Sequence, residues 1–201
     1  VIFEKTNELG GLFLTASSES FKENDRQLVA WYRREIEKQG IDVRLNTEVT
    51  DLGTLRGFDE IIVATGSVVR TMPQIPGFEK CLTFTQVLKD KVPVGDNVTA
   101  IRRMKKTATT AALNLRFRKR KSQVPTYLNS TITNIGDKTV TIKGKDGTVT
   151  EVEYDNIVNG IGFVPAPVGG TGKNIHRVGD CVAIGNLRTV IWRAWDVCMA
   201  I

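Results

Sequence analysis

The feature that most constrains the fold is a two-part pattern that the chain states twice in the same order. VRLNTEVTDL, Val43 to Leu52, is answered by TYLNSTITNI, Thr126 to Ile135, and FDEIIVATG, Phe58 to Gly66, is answered by YDNIVNGIG, Tyr154 to Gly162. The second motif is an aromatic, an aspartate, an acid or amide, an apolar run and a closing glycine. A run of that kind is too short for a helix and rich in branched residues, which suits a strand buried on both faces of a parallel sheet. A duplicated α/β unit accounts for the repetition.

The segments between these motifs read the same way. Leu28, Trp31, Tyr32, Glu35 and Ile36 recur at helical spacing, which predicts a helix over 24–39, capped by Asn24 or Asp25 and stopped by Gly40. Asp42 to Leu45 then returns as a short strand. In the second half, residues 107–121 are helix-like and Pro125 to Leu128 strand-like. KTVTIKGKDGTVTEVEY, Lys138 to Tyr154, reads as a hairpin around Asp146-Gly147. Leu187, Val190, Ile191, Ala194 and Val197 predict a final helix.

Composition narrows the class. The chain has 201 residues, enough for one substantial core or two small ones. Apolar runs such as Ile61 to Ala64 fall far short of the roughly 20 residues needed to cross a bilayer, so no membrane partner is expected. Cys81, Cys181 and Cys198 show no CxxC spacing; they read as reduced thiols in a cytoplasmic protein, with no metal site. The net charge of +6 is uneven: no acid occurs from Asn97 to Gly136, where nine basic residues lie between Arg102 and Lys121. Such a block serves a polyanion or is a solvated helix face, and the second reading is preferred.

The ordered set VIFEK, ELGG, LNTEV, FDEIIVATGS, MPQIPG, YDNIVNGIGFVP and HRVGDCVAIGNLRTVIWRAWDVCMAI covers nearly the whole chain. It resembles the C-terminal reductase part of the NADH:flavin oxidoreductases related to 2,4-dienoyl-CoA reductase, enoate reductase and trimethylamine dehydrogenase. The resemblance implies an α/β fold of two dinucleotide-binding domains with Rossmann-like parallel sheets, here incomplete. It divides the chain into an FAD-binding part over 1–92, an NAD(P)H-binding remnant with the hairpin over 93–168, and a return to the FAD-binding domain over 169–201. It further implies hydride transfer from NAD(P)H to FAD, with FMN and a 4Fe-4S cluster in a barrel domain of the same enzyme. The complete enzyme would reduce an activated C=C bond or oxidise an amine. A homo-oligomer is compatible with this reading, and nucleic acid is not an expected partner.

The same resemblance supplies candidate cofactor-binding residues. Glu4, where a strand ends, would accept hydrogen bonds from ribose hydroxyls; its other reading is an exposed strand-end acid. Gly10 and Gly11 would let the backbone approach the ligand, although any tight turn would use them. Ala64, Thr65 and Gly66 end a strand at its carboxyl edge, where α/β sheets bind ligands. Val49 would lie near the adenine. Gly179 and Asp180 would meet a ribityl hydroxyl of FAD, with helix capping as the alternative role for the aspartate. No catalytic side chain is assigned, because the flavin carries the chemistry. His176, the single histidine, reads as a strand-start residue, and Trp31, Trp192 and Trp195 as core or interface.

The departures matter as well. GxGxxG occurs nowhere, although one copy is expected before VIFEK and another after the strand VGDNVTAI. Two expectations follow: the chain is a piece of a larger enzyme, or it is a degenerate dinucleotide fold kept as a structural or assembly domain. Standing alone, it is expected to bind FAD weakly or not at all and to be poorly soluble.

Overall fold

A computed structural model describes residues 1–102 and 127–201. The basic run from Arg102 to Lys121 and the helix expected over 107–121 lie almost wholly outside the described residues. In chain order the elements are β1 (Ile2–Phe3), α1 (Gly11–Ser17), α2 (Glu23–Lys38), β2 (Val43–Arg44), β3 (Ile61–Val63), β4 (Ser67–Val69), β5 (Leu82–Thr83), α3 (Phe84–Leu88) and β6 (Val98–Arg102). Then follow β7 (Ser130–Ile135), β8 (Thr139–Gly144), β9 (Val149–Glu153), β10 (Asn156–Gly160), β11 (Phe163–Pro165), β12 (Ile175–Arg177) and α4 (Leu187–Cys198). Among the described residues no helix is long and apolar enough to cross a membrane.

Two compact units divide these elements. The first takes residues 1–70, 88–91 and 163–201; the second takes 71–87 and 92–162. The proline-punctuated segment MPQIPG therefore belongs with the second unit, whereas the sequence division kept it within 1–92. Its place follows from packing: Ile75 and Phe78 are buried in the second unit's core, and the Ile135 amide donates to the Pro76 carbonyl at 2.9 Å.

In the first unit all strand pairs but one are parallel: β1 with β2 and β3 with β12, while β4 and β11 run antiparallel. Leu52, Val63 and Cys181 form a buried cluster against which Val49, Leu55, Ile61, Val168 and Ile175 pack. Helix α2 begins one residue before the expected start, at Glu23, and its N-cap Lys22 makes no side-chain cap bond. Asn24 and Asp25 are thus inside the first turn, where Asp25 pairs with Lys22 at 2.9 Å and its charge suits the helix N-terminus. The C-terminal stop is as expected. Gly40, at φ 63°, donates to the Glu37 carbonyl and Ile41 to that of Ile36, the paired bonds of a Schellman end.

In the second unit a parallel sheet of order β5-β10-β6 accompanies an antiparallel meander β7-β8-β9. The hairpin turns at Asp146-Gly147, as its sequence predicts. Of the strand expected over Pro125 to Leu128, residues 125–126 lie outside the described residues, and Tyr127 and Leu128 precede β7, which starts at Ser130. Among the described residues, Ile75, Phe78, Ile101, Ile135, Val140, Ile142, Tyr154 and Ile157 form its buried core.

The repeated LN motif is one turn used twice. Asn46 and Asn129 sit at φ 52° and 53°, a left-handed conformation that asparagine tolerates better than most side chains. In each copy the following hydroxyl closes the turn: Thr47 Oγ1 donates to the Leu45 carbonyl at 3.0 Å, and Ser130 Oγ to that of Leu128 at 3.1 Å. The second motif also repeats: β3 and β10 are both parallel strands, and the glycines after them, Gly66 and Gly162, both have positive φ.

Candidate functional site

Parallel pairing of β3 with β12 sets the site. Ile61, Ile62 and Val63 lie opposite Ile175, His176 and Arg177, and the Val178 amide donates to the Val63 carbonyl at 3.0 Å. That register brings the residues after both strands to one carboxyl edge: Ala64, Thr65 and Gly66 from one, Gly179 and Asp180 from the other. The edge of a parallel sheet is where such folds bind ligands.

Each strand end is pinned by its own bonds. Thr65 Oγ1 donates to the Ala166 carbonyl at 2.7 Å, and the Ala166 amide returns a bond to the Gly66 carbonyl at 3.1 Å. Gly66 has φ 70° and open space where a Cβ would stand. Gly179 is buried at φ 68°, and a Cβ there would press on Val190 at 3.3 Å. Cys181 Sγ lies 3.1 and 3.0 Å from the carbonyl oxygens of Val63 and Val178, which locks the thiol between the strands as a packing group.

Asp180 does not cap a helix. Its Oδ1 accepts from the Gly185 amide at 3.0 Å, whereas α4 is capped by Asn186, whose side chain accepts from the Thr189 amide while Thr189 Oγ1 accepts from the Asn186 amide. Oδ2 of Asp180 has no partner among the described residues. Val49 packs into the cluster of Leu52, Val63 and Cys181, just behind this edge.

Glu4 directly follows β1, and the glycine pair stands at the start of α1. Glu4 Oε1 accepts from both the amide and the hydroxyl of Thr6 at 2.8 Å, and its backbone bonds Arg44 and Thr47. Gly10 and Gly11, at φ 130° and 51°, open helix α1 with no side-chain cap. Their conformation alone accounts for glycine at both positions.

Sequence reasoning missed what holds this turn. Arg33, from α2, donates through Nε to the Leu9 carbonyl at 3.0 Å, with a second bond from Nη2 to the same oxygen. Its Nη2 also pairs with Glu8 Oε2 at 2.9 Å, and Lys89 pairs with Glu8 Oε1 at 2.9 Å. The Lys89 bond, then the Arg33 bond, holds the Glu8 carboxyl below its ordinary range. Because the folded value lies below the unfolded one, the stability Glu8 contributes is present above about pH 4.3 and is lost as pH falls through the folded value. Glu8→Gln is expected to cost under about 1 kcal/mol at pH 7, as these side chains are 35–40% exposed and solvent screens the pairs. The gap should close once pH has fallen below that folded value. Urea unfolding of both proteins from neutral pH down into acid is the measurement, and a gap that does not shrink as pH falls would remove the ion pairs as its cause.

His176 lies mid-strand in β12, with Nε2 2.7 Å from Glu60 Oε2, a partner its spacing did not suggest. Trp192 and Trp195 are not core: they are 67% and 65% exposed on α4.

No protein-family model matches the sequence. The chain is 34% identical over 101 residues to the cinnamate reductase of Clostridium sporogenes, an alignment that takes in 50% of this chain and 15% of that protein. Among solved structures, a 2-naphthoyl-CoA reductase in complex with 2-naphthoyl-CoA superposes with a TM-score of 0.83 at 22% identity, over 100% of this chain and 36% of that one. Thioredoxin reductase of Lactococcus lactis superposes with a TM-score of 0.72 at 18% identity, over 98% of this chain and 88% of that one. The chain thus has the α/β, two-dinucleotide-binding-domain fold with Rossmann-like parallel sheets. It spans nearly all of the thioredoxin reductase but about a third of the naphthoyl-CoA reductase. The relatives are oxidoreductases.

Proposed function

We propose that this chain is the nucleotide-binding reductase part of a flavin-dependent oxidoreductase, taking a hydride from NAD(P)H onto FAD and passing electrons to a second centre. The observation that carries the reading is the shared carboxyl edge of β3 and β12, where Thr65-Gly66 and Gly179-Asp180 stand side by side. These residues fit the sugar portions of FAD. Open space at Gly66 admits a ligand against the backbone, Asp180 keeps one carboxylate oxygen for a ribityl hydroxyl, and Glu4 keeps Oε2 for a ribose. The diphosphate is assigned no residues, since the sequence has no GxGxxG loop. Bound FAD would supply the hydride chemistry, and the protein's share is to bind, orient and exclude water. In the whole enzyme the substrate would be an activated C=C bond, as the enoate unit of cinnamate contains in the relative named for it. Division of the chain into an FAD-binding part and an NAD(P)H-binding part belongs to this proposal.

The test is visible absorption and released-cofactor analysis of the full-length gene product, purified without added flavin. FAD bleached by NADH or NADPH is the expected result. Asp180→Ala should weaken FAD binding about 10- to 100-fold, the worth of one hydrogen bond to a charged group. A colourless, folded protein would sink the proposal. It would favour a degenerate dinucleotide fold with a structural role, the reading that the absent glycine loops support.

A further inference from the structure

Arg193 stands in the second turn of α4, and its half-buried side chain turns back toward the end of β12. Nη1 lies 2.5 Å from the Ala183 carbonyl oxygen and 3.3 Å from that of Gly179. Those two carbonyls bracket Asp180, Cys181 and Val182. The Gly179 carbonyl also accepts from the amides of Val182 and Ala183, at 3.1 and 3.3 Å, so three donors converge on it. The loop this fixes is otherwise lightly held. Residues 182–186 are all exposed, and the bond from Gly185 to Asp180 Oδ1 is made within the loop itself.

A guanidinium suits this work. It keeps its charge at any physiological pH, its planar donors have fixed directions, and bonds from an ionised donor are stronger than neutral ones. We infer that Arg193 is a positioning residue that ties the loop from Gly179 to Asn186 onto α4 and so holds the Asp180 carboxylate at the carboxyl edge. The inference rests on the reading of Asp180 as a flavin contact. It assigns Arg193 no contact with the flavin.

The experiment compares Arg193→Met, Arg193→Lys and Asp180→Asn in the full-length gene product by two readouts. The first is hydrogen exchange of the Gly185 amide in flavin-free protein, with α2 amides as the folding control. The second is the FAD dissociation constant. Methionine keeps an apolar stem but no donor. Arg193→Met should speed Gly185 exchange about tenfold or more and weaken FAD binding about tenfold, with α2 protection unchanged. Lysine, which can still reach a carbonyl, should fall between. Unchanged Gly185 exchange in Arg193→Met overturns the inference, and so does faster exchange with FAD affinity intact. If Asp180→Asn weakens FAD binding and Arg193→Met does not, the positioning role alone fails. If neither does, the reading of Asp180 fails and takes the inference with it.

Discussion

Gly77→Ala is expected to destabilise the second unit by about 3 kcal/mol or more, the largest loss any single glycine substitution should cause in the described part of the chain. Two penalties add. Gly77 has φ 79°, which costs an alanine roughly 1 kcal/mol, and a Cβ built there would overlap the carbonyl oxygen of Ile135. That oxygen cannot retreat cheaply. Ile135 is 2% exposed and paired with Val140 in β7-β8, its amide donates to the Pro76 carbonyl, and Phe78, which follows Gly77, is 5% exposed. Gly147→Ala is the control, because φ 88° there comes with open space, so its loss should stay near 1 kcal/mol. Tryptophan emission will not probe this site directly, since Trp31, Trp192 and Trp195 all lie in the first unit. Hydrogen exchange at the amides of β8 and β10 will. Equal losses at the two glycines would mean that the Ile135 carbonyl yields and that the overlap carries no cost.

Legibility in the sequence followed the range of the interaction. The helix stop at Gly40, the hairpin at Asp146-Gly147 and the repeated LN turn depend on bonds a few residues apart, so residue type announced them. The candidate edge was legible in part: Thr65-Gly66 and Gly179-Asp180 could each be placed after a strand, but only the β3–β12 register makes them neighbours. Arg33 and Arg193 were invisible because each bonds backbone carbonyls of a distant turn, and a carbonyl has no residue type to read. The N-terminal cap of α2 misled for a related reason. Asn24 and Asp25 are good capping residues, yet Lys22 occupies the cap and Asp25 finds its partner in that lysine. Trp192 and Trp195 sit at the helical spacing of a buried face, but periodicity gives a face and not what covers it.

Ile157→Ala is the second large effect, and its size reports how the parallel sheet is buried. Strand β10 is flanked by β5 on one edge and β6 on the other, and Ile157, Val158 and Asn159 are buried in succession, as a central strand covered on both faces requires. Ile157 is 1% exposed and packs with the core that includes Ile101 and Tyr154. Removing three carbons there loses their transfer free energy and leaves a cavity that neighbours held in two sheets cannot collapse to fill. The expected cost is about 4 kcal/mol, with Ile157→Val near 1 kcal/mol. Val98 lies on the adjacent strand β6 but is 40% exposed, so Val98→Ala should cost under about 1 kcal/mol. Urea unfolding followed by far-UV circular dichroism measures all three, and an unchanged denaturant slope would place the loss in the folded state. Should Ile157→Ala cost no more than Val98→Ala, β10 would not be the centre of this core. Its counterpart in FDEIIVATG already stands apart, since β3 buries Val63 but leaves Ile62 44% exposed.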